Sequence, residues 1–491
     1  MAATPDFYLN PKSASGTAAA TATATATTSG LVKAKGIVVF SGGSAANNLV
    51  DVFKTVREDK KCPLSYVIPI SDNGGSSSEL IRVFGGPGIG DVRSRLVRLI
   101  PDDPDNDESE KAAIKAFFNH RLPREQVAAK QEWLQIVEAQ HALWTNISTA
   151  KKELIRSILN HVAFEIIKRL RPSSTFDFSG ASIGNLFLTG ARIFTGSFES
   201  AIYLLSSICS VPHHTSVLPA INTNFTHHIC VGLANGTTIT GQNSISHPST
   251  PSSLDSSSLA TPLDEVEHHD RIEDANLPGS LPSLRKQYLA FSKAHSEDLP
   301  ARITRLWYIN PFGQEIRLAA NAAVLAALGD AQAVIYSIGS LYTSLVPSLV
   351  LKGMGAALAN PQIRHKILIL NSTLDRETGP SSAPYSALDF VAAIAKAANN
   401  SKGLLDAPPE CDFANYVTHV IHLAGPGTPA VDKERLRMLG IEAIRVYGRR
   451  NEGEPFVRYD ERALIQALEV TMGKRDPRVA SRRNTVEGPA R

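Results

Sequence analysis

The chain has 491 residues, of which 43% are hydrophobic and 20% are charged, a balance typical of a folded globular protein. Its 50 basic and 47 acidic residues leave a formal net charge of +3, so no overall field attracts nucleic acid or an acidic membrane surface. We therefore expect neither a nucleic-acid partner nor a membrane partner. The four cysteines are widely spaced and no secretory signal pattern opens the sequence, which predicts a reducing, cytoplasmic location.

The first folded segment is a strand that runs into a glycine turn. Residues 1–33 are rich in Ala and Thr and are predicted to form a disordered leader. Gly36 to Phe40 then reads as a short buried strand, followed by Ser41-Gly42-Gly43-Ser44 and a helix-compatible segment. This order is typical of the opening βα unit of a nucleotide-binding sheet. Neither G-x-G-x-x-G nor a P-loop motif occurs, so a dinucleotide fingerprint and a P-loop kinase are not supported.

A second strand ends in a loop suited to an anionic ligand. The apolar run 66–70 leads into Ser-Asp-Asn-Gly-Gly-Ser-Ser-Ser at 71–78, and Gly90-Asp91-Val92-Arg93 follows shortly after. Adjacent glycines let the backbone approach a ligand, and serines at a helix start offer hydroxyl and N–H groups to a phosphate. The same residues are also compatible with a purely structural role, a glycine-rich turn whose side chains cap the helix. Both interpretations stay open for this loop alone.

Two insertions interrupt the α/β pattern. Residues 102–171 carry helical patterns without a strand signal and are predicted to form a helical insertion. Helix-compatible sequence continues from about 183 to 207, and strands are predicted over 217–241 with a hairpin turn at Ala234-Asn235-Gly236-Thr237. Residues 243–300 are rich in Ser and Pro and are predicted to be mostly disordered.

The second half alternates strands and helices. Strands are predicted at 303–309, 333–336, 366–370, 417–423 and 443–447. Helices are predicted at 315–328, 345–358, 386–398, 433–439 and 461–472. The alternation predicts an α/β fold with a Rossmann-like, doubly wound, mostly parallel sheet. This domain spans residues 34–472, and residues 473–491 are predicted to form a disordered tail.

Four stretches, taken in order, resemble the CofD-like family (UPF0052). They are Ser41 to Ser44, Ser71 to Ser77 with Gly90 to Arg93, Gly184 to Leu188, and Gly339 to Ser344. The family includes the 2-phospho-L-lactate transferase of deazaflavin-cofactor synthesis and the YvcK-type gluconeogenesis factors, which bind nucleotide sugars. The resemblance implies a guanine or uridine nucleotide at the strand ends, and Mg²⁺ as the cofactor of a transfer reaction. The Asp-Asn-Gly-Gly-Ser-Ser loop is closer to the YvcK-type branch.

The candidate site residues lie at these junctions. Asp72 and Asp91 are the candidate catalytic acids, because a carboxylate can act as a general base toward a hydroxyl or hold Mg²⁺, for which Asp72 is the candidate ligand. The candidate nucleotide- and phosphate-binding residues are Gly42, Gly43, Ser44, Asn73, Gly74, Gly75, Ser76, Gly90, Arg93, Asn185, Gly339, Ser340, Tyr342, Thr343 and Ser344. Structural roles stay open, namely capping of the helix after Asp91, an Asx turn at Asp72 and core packing of Tyr342.

Two functions of different classes fit these residues. The first is a transferase that moves a phosphate-linked group, of the 2-phospho-L-lactate type, from a nucleoside-diphosphate donor to a hydroxyl acceptor. The second is a regulator of carbon metabolism or envelope growth that binds a nucleotide sugar without turnover. The expected partner in either case is a nucleoside diphosphate or a nucleotide sugar, and a homo-oligomer is compatible with the sequence.

Overall fold

The computed structural model describes residues 35–42, 45–71, 77–102, 109–170, 175–246, 298–450 and 457–473. The predicted leader, residues 247–297 of the Ser/Pro-rich insertion and residues 474–491 of the predicted tail lie outside the described residues. The regular elements in the described part of 102–171 are helical, as predicted, apart from an isolated β-bridge between Arg121 and Ser182.

Thirteen strands are present in the described ranges. They are β1 (Gly36–Phe40), β2 (Leu64–Ile68), β3 (Thr215–Pro219), β4 (His228–Leu233), β5 (Thr238–Thr240), β6 (Ile303–Ile309), β7 (Glu315–Ile316), β8 (Ala331–Tyr336), β9 (His365–Ile369), β10 (His419–His422), β11 (Glu442–Arg445), β12 (Gly448–Arg449) and β13 (Arg458–Tyr459).

Seven of these strands form one parallel sheet. Their order is β3-β2-β1-β8-β9-β10-β11, and each neighbouring pair is parallel. The chain moves outward from β1 to β3 and then returns to place β8 on the other side of β1. All five residues of β1 are buried, as expected of a strand covered on both faces of a parallel sheet. The doubly wound α/β prediction is therefore confirmed.

The smaller sheets are antiparallel. The first has the order β5-β4-β6-β7, and the second pairs β12 with β13. The predicted hairpin joins β4 to β5. At its tip Gly236 has φ +83°, and Asn235 Oδ1 accepts a hydrogen bond of 3.1 Å from the backbone N–H of Thr237. Asn and Gly at these positions suit such a turn.

Fifteen α-helices accompany the strands in the described ranges. They are α1 (Val50–Lys60), α2 (Ser78–Phe84), α3 (Gly90–Arg98), α4 (Glu110–Asn119), α5 (Gln126–Val137), α6 (Thr149–Arg169), α7 (Ile183–Thr195), α8 (Phe198–Ile208), α9 (Gln242–Ser246), α10 (Ala322–Gly329), α11 (Val346–Leu349), α12 (Met354–Leu358), α13 (Ala387–Ser401), α14 (Lys433–Met438) and α15 (Glu461–Thr471). Within the described residues, none of the helices is both long and apolar enough to cross a membrane.

Short helices of other types fill several connections. In the part of the chain that the structure describes, four 3₁₀ segments lie at Ala45–Leu49, Ala142–Trp144, Arg376–Thr378 and Glu410–Asn415, and a π-helical segment lies at Leu341–Leu345.

Helix α7 joins the helical insertion to the rest of the domain. It packs against α2, α3, α4, α6 and α8, and every residue from Ile183 to Arg192 is buried. A helix that is apolar over most of its surface belongs in a core. Gly190 lets α6 approach closely, since a Cβ there would lie 2.9 Å from the carbonyl oxygen of Ile158. The helix ends at Gly196, with φ +69°, so the helical pattern predicted to continue to 207 forms two helices.

The helix predicted at 315–328 is partly wrong. Residues 315–316 form β7, paired with β6 through Tyr308 and Ile316, and the helix starts only at Ala322. Asn321 begins it, since its Oδ1 accepts a hydrogen bond of 2.9 Å from Ala323 N–H. A local helix-compatible pattern is overridden here by pairing with a neighbouring strand.

The helix predicted at 345–358 is interrupted. The π-helical segment and α11 end before Gly353, which has φ +95°, and α12 follows. Between them Lys352 bonds to the segment before α10, because its N–H donates to Leu318 O at 2.8 Å and its carbonyl accepts from Ala320 N–H at 3.1 Å. The break lets the chain turn beside the sheet.

A substitution at Gly355 tests the packing of α12 on α13. A Cβ at this position would lie 1.9 Å from the backbone oxygen of Ala398 and 2.5 Å from Ser401 Oγ. Because one obstacle is backbone, we expect Gly355→Ala to lower the free energy of unfolding by at least about 1–3 kcal/mol. Gly329→Ala is the matched control, since nothing lies within 4 Å of a Cβ there. Urea unfolding of both variants measures the difference, and equal midpoints would contradict the close contact.

Candidate functional site

The candidate site lies where the strand connections change direction. Strands β1 and β8 are neighbours, yet the chain leaves β1 toward β2 and leaves β8 toward β9. Connections that diverge in this way open a crevice at the carboxyl ends of the strands, which is where doubly wound sheets bind ligands. The turn after β1 contains Ser41 and Gly42, and the turn after β8 contains Gly339 and Ser340.

Four predicted residues meet in this crevice. A Cβ on Gly42 would lie 3.1 Å from Ser344 Cβ and 3.3 Å from Asp91 Oδ2. A Cβ on Gly339 would lie 2.9 Å from Ser344 Cβ and 3.3 Å from the carbonyl oxygen of Gly42. Gly42, Gly339, Ser344 and Asp91 therefore come together from separate parts of the chain. The absence of side chains at both glycines lets the two turns approach each other.

Asp91 lies in the first turn of helix α3, whose N-terminal end lies at the crevice. Helix α3 begins at Gly90, with Ile89 in the cap position, so Asp91 lies in the first helical turn. A carboxylate there interacts favourably with the helix dipole. The role of helix cap, which the sequence left open for Asp91, falls to a different residue.

A second polar group links α3, α7 and the helical insertion. Asn185 is fully buried, and its Nδ2 donates a hydrogen bond of 3.2 Å to Ser77 Oγ. Arg93 donates from Nε to Asn185 Oδ1 at 3.3 Å and from Nη1 to Asn119 Oδ1 at 3.0 Å. Because Asn119 ends α4, the helical insertion reaches the predicted site. No motif in the sequence indicated Asn119 or this contact.

Glycine also makes room for Arg93. A Cβ on Gly184 would lie 2.7 Å from Arg93 Cδ and 2.6 Å from the backbone oxygen of Phe118. The pKa of Arg93 is lowered to about 10, mainly by burial and also by the neighbouring Arg121, while Asp91 acts in the opposite direction. The guanidinium is therefore charged at neutral pH. Gly90, also predicted, lies beside this group, with its Cβ position 3.5 Å from Ser77 Oγ.

The predicted residues after β8 bind an internal carboxylate. The N–H groups of Tyr342 and Thr343 donate to Glu377 Oε2 at 2.8 and 2.9 Å, and Thr343 Oγ1 donates to Glu377 Oε1 at 2.5 Å. The Tyr342 hydroxyl donates to Ile303 O at 3.1 Å and lies 3.1 Å from the hydroxyl of Tyr385. Glu377 thus accepts hydrogen bonds from the N–H groups of two residues that were predicted to contact the nucleotide or its phosphates. The ligand role of Tyr342 and Thr343 stays a prediction, and the core role left open for Tyr342 matches its contacts.

Glu377 is a functional candidate that the sequence did not reveal. It is fully buried, and burial raises its pKa to about 8, with Asp375 acting in the same direction and the hydrogen bonds from Thr343 and Tyr342 opposing. It follows Arg376 in a polar stretch typical of a surface loop. Only the three-dimensional contact with the π-helical segment shows its burial.

The remaining predicted residues are Ser340 and seven residues that the structure does not describe. Ser340 occupies the cap position of the π-helical segment, without a side-chain cap bond. Seven of the predicted residues lie outside the described residues: Gly43, Ser44, Asp72, Asn73, Gly74, Gly75 and Ser76. In the described ranges no group of three or more His, Cys, Asp or Glu side chains could hold a metal ion. The predicted Mg²⁺ ligand Asp72 falls outside those ranges.

The fold and the crevice define the class of protein. It is a doubly wound α/β protein whose switch point joins close glycine turns to a carboxylate and a buried arginine. Residues 37–446 match the family described as 2-phospho-L-lactate transferase CofD. The chain therefore belongs to the CofD family, as the sequence motifs predicted.

Similar proteins and a similar solved structure support the same family. The Saccharomyces cerevisiae protein described as uncharacterized protein YNL011C is 39% identical over 407 residues, which are 79% of this chain and 90% of the yeast protein. A gluconeogenesis factor of Halalkalibacterium halodurans is 27% identical over 214 residues, or 44% of this chain and 46% of that protein. The crystal structure of Bacillus halodurans protein BH3568 matches with a TM-score of 0.54 at 20% identity, covering 89% of this chain and 100% of that one. This last likeness shows the shared fold.

The buried carboxyl of Glu377 predicts a pH dependence of stability. Because its pKa rises to about 8 on folding from an unfolded value near 4.3, the folded chain holds a proton that the unfolded chain releases. The contribution of Glu377 to the free energy of unfolding is complete below about pH 4. It falls by up to about 1.4 kcal/mol per pH unit as the pH rises toward 8.

Replacing Glu377 by Gln tests this pH dependence. A Gln side chain retains an acceptor for the two backbone N–H groups and does not titrate. We expect Glu377→Gln to flatten the stability profile between pH 5 and 8, measured by urea unfolding at several pH values. Asp298→Asn is the exposed-acid control, and an unchanged slope in Glu377→Gln would show that Glu377 does not titrate in this range.

Proposed function

We propose that the crevice between β1 and β8 binds a nucleoside-diphosphate-linked metabolite, and that the protein transfers a phosphate-linked group from it to a hydroxyl acceptor. The observation that carries this proposal is the meeting of Gly42, Gly339, Ser344 and Asp91 at the switch point of a CofD-family chain. A single loop supplies too little binding energy for a micromolar ligand, which needs about 8 kcal/mol. Several turns and a nearby guanidinium that converge on one ligand can supply it.

The chemistry follows from the groups available. The acceptor hydroxyl oxygen attacks the phosphorus of the transferred group, the bond from that phosphorus to the bridging diphosphate oxygen breaks, and nucleoside monophosphate leaves. The hydroxyl proton passes to a carboxylate, for which Asp91 is the described candidate. Phosphoryl-type transfer relies mainly on positioning and on charge stabilisation, and the buried Arg93 supplies a positive charge close to Asp91.

Mg²⁺ is the ion that we propose for this crevice. This ion is usually bound through one or two carboxylates together with substrate phosphates and water. Asp91 is such a carboxylate and lies against the Gly42 turn, and Asp72 is the second candidate from the sequence. Asp72 and Asp91 would hold the ion, which would supply charge neutralisation on the ligand phosphates.

A second function is supported by a different observation. The relative from Halalkalibacterium halodurans is named a gluconeogenesis factor, and Glu377 already binds two N–H groups at the crevice. Fewer backbone N–H groups are then free to bind the phosphate of a transferred group. The alternative is a regulator that binds a nucleotide sugar without turnover.

Ligand-induced stabilisation tests the binding step. We expect GDP, UDP, their sugar conjugates or a subset of these to raise the thermal unfolding midpoint by a few degrees in the presence of Mg²⁺, as mass action requires of any ligand that binds the folded state. Asp72→Asn and Asp91→Asn should reduce the shift. Asp59→Asn, a surface acid of α1 whose side chain is 51% exposed, is the matched control.

Product analysis separates the two functions. Release of nucleoside monophosphate on addition of a hydroxyl acceptor, lost in Asp91→Asn, would support the transferase. Saturable binding without product in an acceptor screen would favour the regulator. A wild-type protein whose midpoint responds to no nucleotide would contradict both.

A further inference from the structure

Arg95 is a buried cation at the carboxyl end of β1 that the predicted site does not include. Only 1% of it is exposed, and it is among the largest fully buried side chains of the described residues. Charged side chains are almost never fully buried unless they are paired. Its position in the core therefore calls for an explanation.

The described partners of Arg95 leave its hydrogen-bonding capacity incomplete. Its Nη2 donates to Ser41 Oγ at 3.2 Å, and its guanidinium carbon lies 4.4 Å from the centre of the Tyr66 ring. Its Nε and Nη1 have no hydrogen-bond partner within the described ranges. A buried charge with incomplete hydrogen bonding is costly to the folded state. Arg95 is thus poorly suited to a role in stability alone.

The charges around Arg95 favour an anion. Burial lowers the pKa of Arg95, while Tyr66 and Asp91 raise it and Arg98 lowers it. Asp91 acts in the same way on Arg93, so this one carboxylate raises the pKa of two buried guanidinium groups. Arg98 is already paired with Asp51 at the surface. Among the described residues, α3 therefore carries two buried guanidinium groups, Arg93 and Arg95, and one carboxylate, Asp91. This leaves an excess of positive charge beside the Ser41–Gly42 turn.

Ser41 connects this charge to the crevice. The residue is fully buried and directly precedes Gly42, which lines the crevice. A hydroxyl has one donor and two acceptor positions. Since Arg95 donates to its oxygen, the O–H group of Ser41 can donate to another oxygen, and the nearby charge makes it a stronger donor.

We propose that Arg95 is a positioning residue for the anionic group of the ligand, with Ser41 as the binding residue through which it acts. The ligand class is a phosphate or diphosphate, and the buried guanidinium is the fixed counter-charge. Salt screens such a buried charge much less than a surface one. This inference rests on the proposed nucleotide binding and adds the residues that recognise the diphosphate.

The test compares charged and uncharged ligands. Calorimetric titrations of the full-length chain use GDP and UDP as charged probes and guanosine and uridine as uncharged ones. We expect Arg95→Met to weaken diphosphate binding about 10- to 100-fold, as loss of a charge-assisted interaction predicts, and to leave nucleoside binding within twofold of the wild-type value. Arg95→Lys keeps the charge and should recover part of the loss.

Stability of the ligand-free variant distinguishes positioning from a structural role. Replacing an incompletely bonded buried charge by an apolar side chain is often neutral or stabilising. We therefore expect ligand-free Arg95→Met to unfold at or above the wild-type midpoint while its diphosphate binding is weakened. Arg98→Met on the same helix is the matched control, and its affinity should equal that of the wild type because a surface ion pair contributes little.

Ser41→Ala keeps the proposal testable if Arg95→Met does not fold. It removes the hydroxyl with little change in volume and should weaken diphosphate binding several-fold. Wild-type diphosphate affinity in Arg95→Met, or in Ser41→Ala where Arg95→Met does not fold, would overturn the inference and leave the proposed function intact. A wild-type chain that binds neither GDP nor UDP would contradict the proposed function. Pyrophosphate titration then tests Arg95 separately, because pyrophosphate carries the charge without a base, and no response to it would overturn the inference as well.

Discussion

The candidate site depends on the close approach of two backbone turns, one after β1 and one after β8. Adjacent strands of a sheet are about 4.8 Å apart, so turns that leave them in opposite directions meet only where side chains are absent. Gly42 and Gly339 supply that absence, and Ser344 fills the remaining space. The position of Asp91 against Gly42 is fixed by the same contact. Asp91, in the first turn of α3, can lie against the turn after β1 because Gly42 has no side chain there.

Buried polar groups surround this contact and are shared between elements that are distant in sequence. Arg93 is held by one amide from α7 and another from α4, and Glu377 holds the turn after β8. Such networks specify one arrangement when every member is bonded and are costly when a member is left out. The helical insertion is therefore part of the site's support. Its loss would leave Arg93 with one of its two described amide partners.

Much of the architecture was readable from the sequence, because parallel strands buried on both faces are short apolar runs that end in glycine and serine. The strands from Gly36 and from Ala331 fall close to the predicted positions for this reason. The segment at 315–328 could not be read in the same way, since pairing with β6 competes with a local helical pattern. The break at Gly353 depends on a contact with the segment before α10.

The site residues were predictable only where a local sequence motif marks them. The glycine turns and Asp91 stand at strand and helix ends, which the sequence marks. Glu377 lies in a polar stretch typical of a surface loop, and only its long-range contacts bury it. Asn119 is exposed, and its hydrogen bond to Arg93 depends on the packing of α4 beside α3. For Arg95 a local signal existed: it is four residues after Asp91, so both face the same side of α3. Its burial under β1 is a tertiary property.

The pairing of β1 with β8 also bears on how the chain is made. Val38 lies beside Val334, so about 300 residues separate the two partners along the chain. At translation rates of roughly 5–20 residues per second, β1 leaves the ribosome about 15–60 s before its partner strand exists. During that interval one edge of β1 has no neighbour, and unpaired apolar strand edges invite association with other chains. The site is therefore completed late in synthesis, after residues 331–336 have emerged.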